Sequence, residues 1–98
     1  MDKKQFLYSF IADQGLVTIA TIDPLGRPQS AVIGFGQSST LEIIFGTDSS
    51  SRKYHNLLAN PAVSLVIGWV GGKTIQYQAT ASALDTDQEP WQILEINY

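Results

Sequence analysis

The chain has 98 residues, a net charge of −3, no cysteine and a single histidine, His55. This length suits one domain around one core, and we expect residues 1–98 to form it. Because the chain has no cysteine, a disulfide framework or a thiolate metal site is excluded, and a single histidine argues against a metal cage. The acidic net charge argues against nucleic acid or an anionic membrane as the partner.

The first predicted element is an N-terminal helix. Apolar residues recur at helical spacing between Lys3 and Gln14, and Gly15 follows where a helix would end. The apolar run inside this segment is too short for a membrane span and lacks the cleavage site of a secretory signal. We therefore expect a cytoplasmic protein that makes no membrane contact.

Five strand patterns follow the helix. "LVTIATI" (Leu16–Ile22) is β-branched, and "DPLG" (Asp23–Gly26) favours a type I turn with a following bulge. "PQSAVIGFG" and "LEIIFGT" predict the second and third strands. "AVSLVIGWV" (Ala62–Val70) is almost wholly apolar and predicts a strand buried on both faces or packed in a closed barrel, and "TIQYQATASA" alternates. The expected fold is mainly β, a small antiparallel barrel of five to six strands with the N-terminal helix and one helix between strands 3 and 4.

The last segment, "LDTDQEPWQILEINY", supports two interpretations. Trp91, Leu94 and Tyr98 fall at helical spacing behind acidic residues, and Pro90 is tolerable in a first helical turn. "WQILEINY" also alternates like a sixth strand. We favour a helix over residues 87–98, with the strand as the alternative.

The stretch "GTDSSSRKYHNLLANP" (Gly46–Pro61) predicts an anion-binding helix start. Backbone N–H groups at a helix start lack intrahelical partners, and a serine hydroxyl, an arginine and a lysine beside them suit a phosphate group. Residues 49–84 carry three basic residues and no carboxylate, which favours one small anion. The alternative is an ordinary serine cap with Arg52 and Lys53 in solvent.

A second glycine-rich segment, "GWVGGKT", lacks the glycine spacing of a phosphate-binding P-loop and leads into a strand pattern. We interpret it as a hairpin turn.

Taken in order, "TIATIDPLGRPQSAVIGF", "IIFGTDSSSRKYHNLLANPAVSLVI" and "TIQYQATA" resemble the pyridoxamine 5′-phosphate oxidase-like, FMN-binding split-barrel family over about residues 6–84. The most specific part runs from Thr47 through Ser51-Arg52-Lys53 to Asn60-Pro61. The resemblance implies a split barrel, FMN as the cofactor, and a homodimer whose sites lie between the subunits.

The resemblance also implies roles for particular residues. Ser51, Arg52 and Lys53 would hold the FMN phosphate, with Thr47 near the ribityl chain. The flavin ring would lie, largely on backbone groups, along Gln29, Ser30, Ala31, Val32 and Ile33. The partner subunit's Gln76 is the first candidate to reach the flavin, ahead of Gln78 and Trp69. The alternatives are a solvated strand face for the glutamines and a core or interface position for Trp69. We expect His55 to be solvated.

Two departures from the family pattern bear on function. The second strand lacks the arginine and lysine that true pyridoxamine-phosphate oxidases carry there, and an acidic tail stands where they supply bases for the substrate phosphate. We therefore expect an FMN-dependent oxidoreductase for another, unidentified small molecule, with no catalytic residue assigned.

The alternatives are a non-catalytic binder of flavin, deazaflavin or haem, or a relative that has lost cofactor binding. Because family members continue through a helix and a last strand, the chain would be a compact version or one shortened within that helix.

Overall fold

The computed structural model describes residues 2–84 and 91–97. Within them lie two helices, α1 (Lys3–Ala12) and α2 (Arg52–Ala59). The strands of the same residues are β1 (Val17–Ile22), β2 (Pro28–Ile33), β3 (Gly36–Gln37), β4 (Ile43–Asp48), β5 (Ala62–Ile67), β6 (Ile75–Ala83) and β7 (Trp91–Asn97). None of the helices in this part of the chain is long and apolar enough to cross a bilayer.

The strands form one antiparallel sheet in the order β2-β1-β5-β6-β7-β4-β3. The sheet curls into a half-barrel, which confirms the predicted mainly β split barrel with α1 before it and α2 between the third and fourth long strands. The predicted total of five to six strands is too low for the described residues. The stretch predicted as the second strand is interrupted after Ile33, and Gly36–Gln37 pairs separately with β4 as β3.

The core lies on the inner face of the sheet. Along β5, Val63, Leu65 and Ile67 are buried while Ser64 and Val66 are half-buried, so of the two arrangements predicted for this strand, burial on both faces is wrong. The alternation follows from the period of two along a strand, which places the three buried residues on the same face. The other fully buried side chains are Ile11, Val17, Ile19, Thr21, Ile43, Leu94 and Ile96.

The "DPLG" turn joins β1 to β2 as predicted. The Gly26 N–H donates to the Asp23 carbonyl at 2.9 Å, and the Asp23 N–H donates to the Arg27 carbonyl at 2.9 Å. Gly26 has a φ of +81°, which glycine adopts without steric penalty. The turn sets the register in which Thr21 lies directly opposite Gln29.

The preference for a C-terminal helix is wrong where the structure describes this segment, because residues 91–97 form β7. Leu94 pairs with Phe45 on one side and with Ala83 on the other, so β7 fills the gap between β4 and β6. A helix there would leave the backbone groups of both neighbours unpaired. Residues 87–90 and 98, also included in the helix prediction, lie outside the described residues.

Candidate functional site

Helix α2 begins next to the end of β4. Ser51 caps the helix in an extended conformation, and its Oγ accepts a hydrogen bond from the Tyr54 N–H at 3.2 Å. The Thr47 and Ser51 hydroxyl oxygens are 2.9 Å apart. The first-turn N–H groups of Arg52 and Lys53 have no intrahelical acceptor, and the first turn contains no acidic residue. The helix start therefore presents positive potential and free donors.

A cavity of about 150 Å³ lies between this helix start and strands β1 and β2. We call it the smaller cavity. It is lined by Ile19, Thr21, Gln29, Ser30, Ala31, Ser51, Arg52 and Lys53. Among these described lining residues two are cationic and none is acidic. Pockets that hold whole drug-sized ligands measure about 300–1,000 Å³, so this volume suits a compact anion rather than a ring system.

A larger cavity of about 300 Å³ adjoins the first one. Ser51 and Lys53 line both cavities. The larger cavity is otherwise lined by Val32, Ile33, Gly34, Gly46, Thr47 and Asp48. It therefore extends the site along β2.

Asp48 gives the larger cavity a negative charge. Its Oδ1 accepts hydrogen bonds from Ser50 Oγ at 2.6 Å and from the Ser50 N–H at 2.8 Å. These bonds, led by the hydroxyl, hold the pKa of the Asp48 carboxyl below its usual range, so it is ionised at neutral pH. An anion is thus better accommodated in the smaller cavity, which has no carboxylate among its described lining residues.

A buried amide, which the sequence analysis did not single out, supports the wall of the smaller cavity. Asn56, only 4% exposed, donates from Nδ2 to Thr21 Oγ1 at 3.0 Å and to Gln29 Oε1 at 2.8 Å. One sequence signal could have identified it. Asn56 lies four residues after Arg52, so the two share a helix face. Thr21, which was also missed, occupies a core-facing position of β1.

The predicted site residues separate into two groups. The nine on β2, β4 and α2 line one or both of the two cavities. Gln76 does not join them within one protomer: it is exposed on β6 and lines a separate groove of about 550 Å³ with residues of α1. Gln78 lines that groove too. Trp69 is 53% exposed after β5 and lies outside the protomer core, and His55 is exposed.

Comparison with known proteins gives consistent similarities. A family model described as Pyridoxamine 5′-phosphate oxidase matches residues 4–97. A pyridoxine/pyridoxamine 5′-phosphate oxidase from Paraburkholderia xenovorans (strain LB400) is 33% identical over 67 residues, which cover 68% of this chain and 32% of the relative. The chain spans about a third of the length of the curated relatives it matches.

Two solved structures share the fold. General Stress Protein 26 from Bacillus anthracis str. Sterne aligns with a TM-score of 0.87 and 19% identity over 99% of this chain and 89% of that one. HutZ, the heme storage protein from Vibrio cholerae, aligns with a TM-score of 0.79 and 17% identity over 98% of this chain and 89% of that one. At these identities the likeness concerns the fold alone.

Proposed function

The chain belongs to the pyridoxamine 5′-phosphate oxidase family, and from this membership we propose that it binds FMN by the phosphate group and acts as a flavin-dependent oxidoreductase on a small molecule. The observation that carries the proposal is the smaller cavity, where Arg52 and Lys53 meet the free N–H groups of a helix start. We further propose a cytoplasmic homodimer, in which the partner subunit's Gln76 completes the flavin site.

The residues of the smaller cavity fit a phosphate group. A phosphate needs donors and positive charge on several sides, and here a guanidinium, an ammonium, a capping hydroxyl and backbone N–H groups converge. The Ser51 hydroxyl is held by its 2.9 Å contact with Thr47, so the cap is positioned before a ligand arrives. The half-buried Lys53 lines both cavities and would neutralise charge at their junction.

The chain's own residues anchor and orient the cofactor in this proposal. When bound, FMN supplies the electron transfer, as flavins do in other enzymes. The larger cavity continues along β2, where Ile33 and Gly34 would contact the part of FMN beyond the phosphate. We assign no side chain of either cavity as substrate acid or base.

The substrate proposed is not pyridoxamine 5′-phosphate. Strand β2, with the sequence PQSAVI, carries no basic residue to bind a second phosphate group. We propose a small molecule of another class, reduced or oxidised at the flavin.

The decisive experiment is a titration of the purified protein with FMN, followed by flavin fluorescence and absorbance. Hydrogen bonds to charged groups contribute about 1.5–3 kcal/mol, so we expect Arg52→Ala and Lys53→Ala each to weaken binding by about tenfold or more. Lys73→Ala is the matched control, because Lys73 lies over the Phe6 ring and lines neither cavity. A wild-type protein that does not bind FMN would refute the proposal, as would a Lys53→Ala variant that binds it normally.

A redox assay on the same sample tests the enzymatic half of the proposal. We expect the bound flavin to lose its absorbance when a nicotinamide donor is added anaerobically and to regain it in air. A flavin that stays oxidised when either NADH or NADPH is added would favour a binding or storage role.

Haem belongs in the same titration, because the heme storage protein HutZ shares the fold. Haem uptake in place of FMN would favour the storage alternative.

A further inference from the structure

The inner wall of the smaller cavity is built from two paired polar residues. Thr21 on β1 and Gln29 on β2 lie directly opposite each other in the antiparallel ladder. Thr21 is 2% exposed, Gln29 is half-buried, and both line the cavity. Asn56 of α2 lies within hydrogen-bond distance of both side chains, at 3.0 Å and 2.8 Å.

The donors and acceptors of this cluster are unequally used. The Asn56 amide nitrogen carries two hydrogens, and it donates to Thr21 Oγ1 and to Gln29 Oε1. One lone pair of the Gln29 side-chain oxygen is therefore occupied, as is one lone pair of the Thr21 hydroxyl. The Gln29 Nε2 group and the Thr21 hydroxyl hydrogen remain. Within residues 2–84 and 91–97, neither of these two donors has a protein acceptor.

We propose that Asn56 sets the polarity of this wall, so that Thr21 and Gln29 present hydrogen-bond donors to a phosphate ester. An ionised phosphate ester offers only acceptors at its terminal oxygens, so it matches such a wall, whereas an ammonium group at the same place would leave donors facing donors. A hydroxyl can accept hydrogen bonds there, but it carries no charge and accepts more weakly than a phosphate oxygen. The inference rests on the proposed function and deepens it. Cations on α2 supply charge from one side, and neutral donors on the base-free strands supply hydrogen bonds from the other.

Two substitutions reverse the polarity of the wall. A carboxylate in Asn56→Asp can only accept, so the Thr21 hydroxyl and Gln29 Nε2 would turn to it and leave the Gln29 oxygen facing the ligand. Gln29→Glu keeps one oxygen for Asn56 and replaces the Nε2 donor with another oxygen. Thr21→Val removes a donor without changing charge, which separates the hydrogen-bonding effect from electrostatic repulsion.

The test compares FMN with riboflavin, which has a hydroxyl group where FMN has the phosphate ester. We expect Asn56→Asp and Gln29→Glu to weaken FMN binding by about tenfold or more, and Thr21→Val to weaken it by about fivefold. In all three variants, we expect riboflavin binding to change by less than about twofold. A general loss of structure would weaken both ligands together, so the ratio of the two affinities identifies the positioning role. The free energy of unfolding of each variant is measured alongside.

Asn60→Asp is the matched control. It makes the same change of charge in the residue that caps the end of α2. Asn60 accepts the Ala62 N–H through Oδ1, a bond that a carboxylate preserves, and Asn60 lines neither cavity. This variant should bind FMN like the wild type.

The outcomes separate this inference from the proposed function. Normal FMN binding by Asn56→Asp and Gln29→Glu, together with weaker FMN binding by Arg52→Ala, would contradict the proposed roles of Asn56, Thr21 and Gln29. The proposed FMN site itself would still be supported. If Asn56→Asp does not fold, Gln29→Glu and Thr21→Val decide the question.

If the wild type binds no FMN, inorganic phosphate becomes the probe. A rise in Tm with phosphate that is absent in Gln29→Glu would support the wall without the flavin. No rise in the wild type would refute both proposals.

Discussion

The side-chain oxygens of Thr47 and Ser51 lie 2.9 Å apart, so a contact between side chains ties the end of β4 to the cap of α2. Ser51 Oγ also accepts the Tyr54 N–H at 3.2 Å, and its backbone N–H donates to the Asp48 carbonyl at 3.0 Å. One serine thus caps the helix, closes the turn before it and forms a wall shared by both cavities. Stability and ligand binding are therefore coupled at this residue.

Replacing Ser51 with alanine should reduce both properties. Loss of a serine cap lowers the free energy of unfolding by about 1 kcal/mol, and FMN affinity should fall because the start of α2 frays. Urea unfolding and FMN titration measure the two effects. Ser39→Ala, in the exposed loop before β4, is the control. A Ser51→Ala protein as stable as this control would contradict the assigned cap.

Three glycines should respond to alanine in a graded way. Gly68 has a φ of +78°, and a Cβ there would lie 2.7 Å from two atoms of the Phe10 ring. Gly26 has a φ of +81°, but a Cβ there would meet open space. Gly15 has open space and no positive φ. Left-handed backbone disfavours alanine by about 1–2 kcal/mol. We expect Gly15→Ala to lose little stability, Gly26→Ala to lose about 1–2 kcal/mol and Gly68→Ala to lose more. Thermal unfolding gives the order, and equal losses at Gly26 and Gly68 would contradict the predicted clash.

The β1–β2 turn should make stability depend on acid. The Arg27 N–H is the largest cause of a pKa below the usual range at the buried Asp23 carboxyl, and the Arg27 side chain and the Leu25 N–H add to it. The stabilisation is complete above the unfolded pKa of about 3.9 and is lost as the pH falls through the lower folded value.

Substitutions at this turn measure that dependence. Asp23→Asn should flatten the acid limb of a stability-versus-pH curve. Arg27→Ala should flatten it only in part, because the backbone N–H remains. An unchanged acid limb in Asp23→Asn would show that other carboxylates control it.

Two adjacent residues of β7 should differ sharply in how much stability is lost when their side chains are replaced by alanine. Leu94 is 1% exposed between β4 and β6, whereas its neighbour Glu95 is half-buried on the other face. Leu94→Ala should lower the free energy of unfolding by about 2–5 kcal/mol, since it leaves a cavity in the core. Glu95→Ala should change it by about 0.5 kcal/mol or less. Equal effects at both positions would contradict the strand.

Local chemistry made much of the site predictable. The Asp23–Gly26 turn depends on residues adjacent in sequence, and the Ser51 cap depends on residues three positions on. Asn56 could not be interpreted in this way. Its two partners lie 35 and 27 residues away, and they come within reach only because α2 packs across the β1–β2 pair.

The error at residues 91–97 has a related cause. "WQILEIN" satisfies helical and strand periodicity together, so its own sequence does not decide between them. The decision comes from β4 and β6, whose facing edges provide backbone partners for an extended segment. Likewise, whether Gln76 approaches the flavin depends on a second subunit, and that remains a prediction.

The position of β7 also affects how the protein can be made. A nascent chain that has released β6 but not β7 holds two unjoined pieces of sheet, β2-β1-β5-β6 and β4-β3. Each piece then has an open edge that could pair with another nascent chain. The later strand also closes pairs over long separations, such as Ile43 with Ile96, which favours slow folding. Until β7 leaves the ribosome, the facing edges of β4 and β6 thus lack the strand that pairs with both of them.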